Sequence, residues 1–158
     1  MINNNLNKEL IELVNYTLDE LYTKEKYLFE NNSSERNLVF HFSNYFLNNI
    51  EKNKKFKDYN VECEYGNNHQ FKKTILINNK LHQIYPDFIL HKRGTNDFNL
   101  LSIEFKKNKS KSDKDELKLM TLTDNNFKYK YKLGLFINLK KTREQVKIIK
   151  YINGKITS

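Results

Sequence analysis

With 158 residues, the chain is sized for one domain that buries roughly two thirds of its unfolded surface. An apolar share of 38% and a charged share of 30%, with 11 Phe and 10 Tyr and no Trp, exclude a disordered chain. No apolar run nears the roughly 18 residues of a membrane span, and the single Cys63 excludes an internal disulfide or a multi-cysteine zinc site. The start, MINNNLNKEL, has neither the basic nor the apolar region of a secretory signal, so a cytoplasmic protein is expected. The net charge of +9 is unevenly spread: residues 1–30 hold three Lys against six acids, while residues 31–158 carry a net +12. Such a basic body suits a nucleic-acid partner through phosphate contacts and counterion release. It equally suits a Lys-rich surface with no partner.

Leu6, Leu10, Leu13, Val14, Leu18, Leu21 and Tyr22 recur at helical spacing with acids between them. They predict an amphipathic helix of about 20–25 residues within residues 1–30. This acidic helix is a candidate for homodimerisation or for docking a protein partner. Asn31-Asn32-Ser33-Ser34 is a break, and Ser34 or Ser33 can cap a second helix from about Glu35 to Glu51. Its inner face is expected to hold Leu38, Phe42, Tyr45/Phe46 and Asn49/Ile50. From residue 59 the period falls to two. Strands are predicted at Tyr59–Tyr65, Phe71–Ile77, Leu81–Tyr85, Asp87–His91 and Asn99–Lys106, with turns at Gly66–Asn68, Asn78-Asn79 and Arg93–Asp97. A basic loop, Lys107–Ser112, leads into a helix that starts at Asp113 and carries Leu117, Leu119/Met120 and Leu122. Two strands close the chain, about 132–139 and 145–152, joined by 140–144. No repeat or interdomain linker interrupts this order, which describes a single mixed α/β domain.

The chemistry gathers in the middle of the strands. Alternation places Asp87, Ile89 and His91 on one face of their strand, and Ser102, Glu104 and Lys106 on one face of the next. A short Gly-containing turn joins the two as an antiparallel hairpin, so Asp87, near the start of one strand, meets Glu104 and Lys106 near the end of its partner. Two carboxylates at the edge of an apolar core repel each other unless a cation sits between them. Oxygen ligands of this kind suit Mg²⁺ or Mn²⁺, which can polarise a phosphoryl oxygen and acidify water. A nearby lysine can position that water, help remove its proton or neutralise developing charge. The same residues also have plainer roles: Asp87 as a turn residue after proline, Glu104 and Lys106 as an exposed cross-strand pair. Glu116-Leu117-Lys118 repeats the Glu-x-Lys spacing, but in a helix those two side chains diverge.

Tyr85-Pro86-Asp87 followed by Ser102-Ile103-Glu104-Phe105-Lys106 resembles the PD-(D/E)xK nuclease superfamily, whose motif is an Asp after Pro on one strand and Glu-x-Lys on the next. The resemblance spans about residues 34–139, in the order helix, hairpin strands, helix, strand. It includes Glu35-Arg36 opening a helix with His41 further on, Val61-Glu-Cys-Glu-Tyr65, Leu100–Lys107, Lys118–Asp124 and Gly134–Leu139, and it looks like a group of small bacterial members. It implies a restriction-endonuclease-like core over residues 31–158 behind an extra N-terminal helix, and Mg²⁺-dependent cleavage of DNA or RNA. Asp87 and Glu104 would ligate the metal with the backbone carbonyl of Phe105, Lys106 would handle the attacking water, and Glu35 matches an early-helix glutamate that often completes such sites. Glu35 serves equally as a first-turn acid favoured by the helix dipole. Lys92, Arg93, Lys107, Lys109 and Lys111 flank the two strands and are candidates for phosphate contacts. Small stand-alone nucleases of this type serve in phage defence, mobile elements and repair. The alternative expectation is a nuclease-like fold that binds nucleic acid or protein without cutting, as a regulator or inhibitor.

Overall fold

The change of period at residue 59 divides the chain, with two long helices before it and the strands after it. The computed structural model describes residues 2–157, and the side chains of residues 5–157. Helix α1 spans Ile2–Lys24, a short helix α2 spans Lys26–Glu30, and α3 spans Glu35–Glu51. Ser34 caps α3 by accepting the Asn37 N–H at 3.2 Å. The apolar stripes of the two long helices face each other: Leu10, Val14, Leu18 and Leu21 of α1 join Leu38, Phe42 and Phe46 of α3 in the main core.

The strands that follow are β1 (Asn60–Glu62), β2 (Asn67–Asn68), β3 (Phe71–Lys72), β4 (Thr74–Ile77), β5 (Lys80–Gln83), β6 (Phe88–His91) and β7 (Leu101–Lys107). Helix α4 (Asp113–Thr123) leads to β8 (Leu133–Leu139), β9 (Lys147–Ile152) and β10 (Lys155–Thr157). Six of these form one mixed sheet in the order β1-β6-β7-β8-β9-β10, while β2–β3 and β4–β5 are separate small hairpins. β7 and β8 run parallel and every other neighbouring pair is antiparallel. A parallel pair needs a crossover, and α4 supplies it.

The sheet is covered on both faces, so β8 is buried at all seven positions. Leu133, Leu135, Ile137 and Leu139 face α1 and α3 together with Phe88, Leu90, Leu101, Ile103 and Phe105. On the opposite face, Phe136 packs with Leu119 of α4, and Ile89 with Leu122, Tyr129 and Tyr131. Gly134 allows the close approach of α4: a Cβ there would lie 2.8 Å from Thr123 Cγ2.

The observed elements depart from expectation in several places. The Tyr59–Tyr65 strand shrinks to Asn60–Glu62, because Glu64 takes a positive φ that breaks the ladder. The Phe71–Ile77 strand is split at Lys73, whose buried ammonium donates to the carbonyls of Tyr65 and Asn67. β10 was not expected; Asn153 and Gly154, both at positive φ, form the two-residue turn that pairs it with β9. The apolar stripe of α1 lies inside the fold, with Leu10, Val14, Leu18 and Leu21 fully buried. Among the described residues, no helix is long and apolar enough to cross a membrane.

Candidate active site

The site forms because β7 is longer than β6. The last pair between them is Phe88 with Ile103, so Glu104–Lys107 run past the end of β6. The N–H groups of Phe105 and Lys107 therefore lack a strand partner on that side, and carboxylates take them instead. Asp87 Oδ2 accepts from Phe105 N at 2.8 Å, and Glu35 Oε2 accepts from Lys107 N at 2.7 Å. Asp87 follows the only proline of the chain, which holds the preceding Tyr85 extended. Glu35 opens α3 directly after its cap.

The intervening residues of β7, Ser102, Glu104 and Lys106, lie on the α4 face. Glu104 is fully buried. Its Oε2 accepts a short hydrogen bond from Lys118 Nζ of α4, while its Oε1 has no hydrogen-bond partner. One turn earlier, Asp115 and Ser112 form a capping box: Asp115 Oδ2 accepts from Ser112 N at 3.0 Å and from Ser112 Oγ at 2.7 Å. That leaves Asp115 Oδ1 between two ammonium groups, 3.7 Å from Lys106 Nζ and 3.8 Å from Lys118 Nζ. Lys106 Nζ also lies 3.8 Å from Glu35 Oε1. Asp87, Glu104 and Lys106 are thus brought to one end of the sheet, with Glu35, Asp115 and Lys118 around them.

Burial and the charge of Asp87 push the Glu104 carboxyl up from 4.5 to about 8, against the pull of Lys118. Burial also raises Asp87, although the Phe105 N–H and the two lysines work in the opposite direction. For Lys106, burial favours the neutral amine, but Asp115, Glu35 and Asp87 outweigh it and the ammonium is held above its ordinary range. Asp115 is lowered despite its burial, by its bonds to Ser112 and by both lysines.

Among the described residues, no three His, Cys, Asp or Glu side chains are arranged to hold a metal ion. Mg²⁺ needs fewer, because it is commonly held by one or two carboxylates and keeps several waters. Glu104 Oε1 is a buried acceptor without a partner, beside a second carboxyl kept up by burial. In a strand the N–H and C=O of one residue face the same neighbour, so the Phe105 carbonyl turns toward the Asp87 side. This donor set of hard oxygens fits a divalent cation. Glu35 is engaged by the Lys107 N–H and by Lys106, and its charge also acts on Asp87.

The candidate phosphate-binding residues divide between the two ends of the sheet. Lys107 ends β7, and Lys109 and Lys111 follow it, at the end where Asp87 sits. Lys92 and Arg93 follow β6 at the opposite end, because the two strands are antiparallel. Arg93 donates from both Nε and a terminal nitrogen to Glu62 Oε1, and Lys92 lies over the rings of Tyr59 and Phe98 at 5.0 and 5.1 Å. Lys107 Nζ donates to Asn32 and Ser33, and Lys111 to Glu116. Lys109 is exposed. Glu62 is mostly buried and shares a 2.5 Å hydrogen bond with the buried His91.

Sequence reasoning missed Lys118 and Asp115. The signal was present: Asp115, Lys118, Leu119 and Leu122 fall at helical spacing on one face, and that face packs on the sheet. The divergence of Glu116 and Lys118 around the helix is real, since Glu116 pairs with Lys111 while Lys118 turns inward to Glu104. In comparison with known proteins, the chain matches no family model, no curated protein and no solved structure.

Proposed function

We propose that the chain is a metal-dependent nuclease that hydrolyses phosphodiester bonds of DNA or RNA, on a restriction-endonuclease-like core of the PD-(D/E)xK type. The observation that carries this reading is Glu104, a fully buried carboxyl with one oxygen unpartnered and the charge of Asp87 acting on it. Two acids forced together out of water call for a cation. The order α3, antiparallel β1, β6 and β7, then α4 and parallel β8 supports the core assignment, being the order expected of that superfamily.

Bound Mg²⁺ or Mn²⁺ would polarise a phosphoryl oxygen and lower the pKa of water. Asp87 and Glu104 would hold the ion through their carboxylates, together with the Phe105 carbonyl. Lys118 fixes Glu104 by Oε2 and leaves Oε1 free for that purpose. Lys106, kept protonated by Asp115, Glu35 and Asp87, neutralises charge on the phosphate instead of accepting a proton. Glu35 and Asp115 position Lys106 between them.

The test is incubation of labelled DNA and RNA with the protein, in Mg²⁺ or in chelator. Cleavage is expected only with the metal and is lost in Asp87→Ala, Glu104→Gln and Lys106→Ala; cleavage that survives these changes ends the assignment. One observation favours a second reading, a nuclease-like fold that binds without cutting. Two ammonium groups, Lys106 and Lys118, already offset half the charge of Glu35, Asp87, Glu104 and Asp115. Salt-sensitive binding with no cleavage under any metal would select it.

A further inference from the structure

A cleft of about 450 Å³ opens on the candidate site, lined by Glu35, Arg36, Val39, Phe40, Cys63 and Asp87 among others. α3 supplies most of its wall. Glu35 and Val39 lie one helical turn apart, as do Arg36 and Phe40. Val39 is buried beneath the wall, while Phe40 keeps 57% of its surface exposed although the neighbouring core has room for other phenylalanines of the same helix. Arg36 stands at the mouth, and its guanidinium donates to Glu64 Oε1 at 3.0 Å. Both members of that pair are largely exposed, at 84% and 57%, so solvent screens it and the guanidinium can turn to another anion at little loss. The cleft thus combines an exposed aromatic ring, set edge-to-face with His41 at 5.4 Å, and an exposed guanidinium with Glu35, Glu64 and Asp87 in one lining.

Resting on the hydrolytic reading of the site, we infer that the cleft seats an unpaired nucleotide, and that the substrate class is single-stranded nucleic acid or an unpaired segment of it. Phe40 offers a stacking face to one base, and Arg36 contacts a neighbouring phosphate. The scissile phosphate then lies beside Asp87. Stacking on an aromatic side chain needs the face of the base free, which a paired and stacked base inside a duplex does not offer. The volume admits one nucleotide and is too small to enclose a duplex, so a base seated in the cleft has left any duplex stack.

The test is equilibrium binding by fluorescence anisotropy at one fixed ionic strength, with Ca²⁺ replacing Mg²⁺. The probes are labelled 20-nucleotide single strands of DNA and RNA and the matching blunt duplexes. The wild type is expected to bind at least one single strand on the order of tenfold more tightly than its duplex. Phe40→Ala should lose on the order of tenfold on that strand, the scale of one base–aromatic stack, with the duplex unchanged. Phe40→Tyr should retain binding, and Phe71→Ala, which removes a still more exposed aromatic outside the cleft, should have no effect. Equal affinity for strand and duplex, or an unaltered Phe40→Ala, overturns the inference. A parallel cleavage assay in Mg²⁺ separates the two levels. Selective binding that depends on Phe40 but never leads to cleavage removes the hydrolytic reading alone. Cleavage of duplex that ignores Phe40 removes this inference alone.

Discussion

Asp87 and Phe105 are joined by a 2.8 Å hydrogen bond from the Phe105 N–H to Asp87 Oδ2, and that bond closes the end of β6 where the sheet would otherwise leave an orphan donor. The carboxylate therefore has a structural task beside the chemical one proposed for it, and two substitutions separate them. Asp87→Ala strips the partner from a half-buried N–H and is expected to cost about 1–3 kcal/mol in urea unfolding. Asp87→Asn keeps an acceptor oxygen and should fall by less than half of that. Both should lose metal-dependent cleavage equally. If Asp87→Asn still cleaves at the wild-type rate, the charge of this side chain has no part in the chemistry.

Glu104 makes the metal-free fold sensitive to pH. Its carboxyl is raised from 4.5 to about 8 by burial and by Asp87, so the folded state favours the proton more than the unfolded chain does. The associated stability is fully present below about pH 4.5 and is lost as pH rises toward about 8. The loss is on the order of a few kcal/mol. Urea midpoints in chelator at pH 5, 6.5 and 8 should decline for the wild type, and the gap between wild type and Glu104→Gln should widen in favour of the variant. Parallel profiles would mean that Glu104 does not titrate in this range.

Lys118 is the compensation for that buried acid. Lys118→Met leaves Glu104 with both oxygens unpartnered, and near pH 8 this should destabilise the chain by about 3–5 kcal/mol, the usual penalty for breaking a buried pair from one side. Adding Glu104→Gln to Lys118→Met should recover more than half of the loss, a coupling that a double-mutant cycle measures directly. Additive losses in the cycle would show that the two side chains are not energetically joined.

Local sequence signals foretold one part of the site and missed another. Period-two alternation and a Gly-containing turn were enough to bring Asp87 beside Glu104 and Lys106, because a hairpin fixes which ends meet. Ser34 and the spacing of Leu38, Phe42 and Phe46 likewise fixed α3 and its inner face. The contribution of α4 was not visible in that way. Lys118 was weighed against Glu116, its neighbour in sequence, whereas its partner is Glu104 in another element, and no spacing rule links a helix to the strand it packs on. Lys73 was hidden for the opposite reason: an ammonium inside a strand pattern reads as exposed, whereas two backbone carbonyls, the Tyr65 ring 4.5 Å away and the charge of Glu62 make its burial tolerable. The turn at Asn153-Gly154 was legible as the commonest hairpin signal, yet the three residues beyond it are too few to register as a strand.

The N-terminal helix invites the last test, because its acidic, amphipathic sequence suggests a docking element and its packing makes it part of the core. Leu18 is fully buried among α1 and α3 side chains. α1 is also tied to the far end of the chain: Tyr22 Oη donates to the Lys140 carbonyl at 2.8 Å, and Arg143 Nε donates to Asp19 at 2.7 Å. Leu18→Ala opens a cavity where neighbouring helices cannot collapse freely, so the expected loss is about 2–5 kcal/mol. Because the stripe faces inward, the mass from light scattering should be the same for Leu18→Ala and wild type at equal concentration. A wild-type dimer that the substitution converts to a folded monomer, with little change in the urea midpoint, would instead make this stripe an interface between copies.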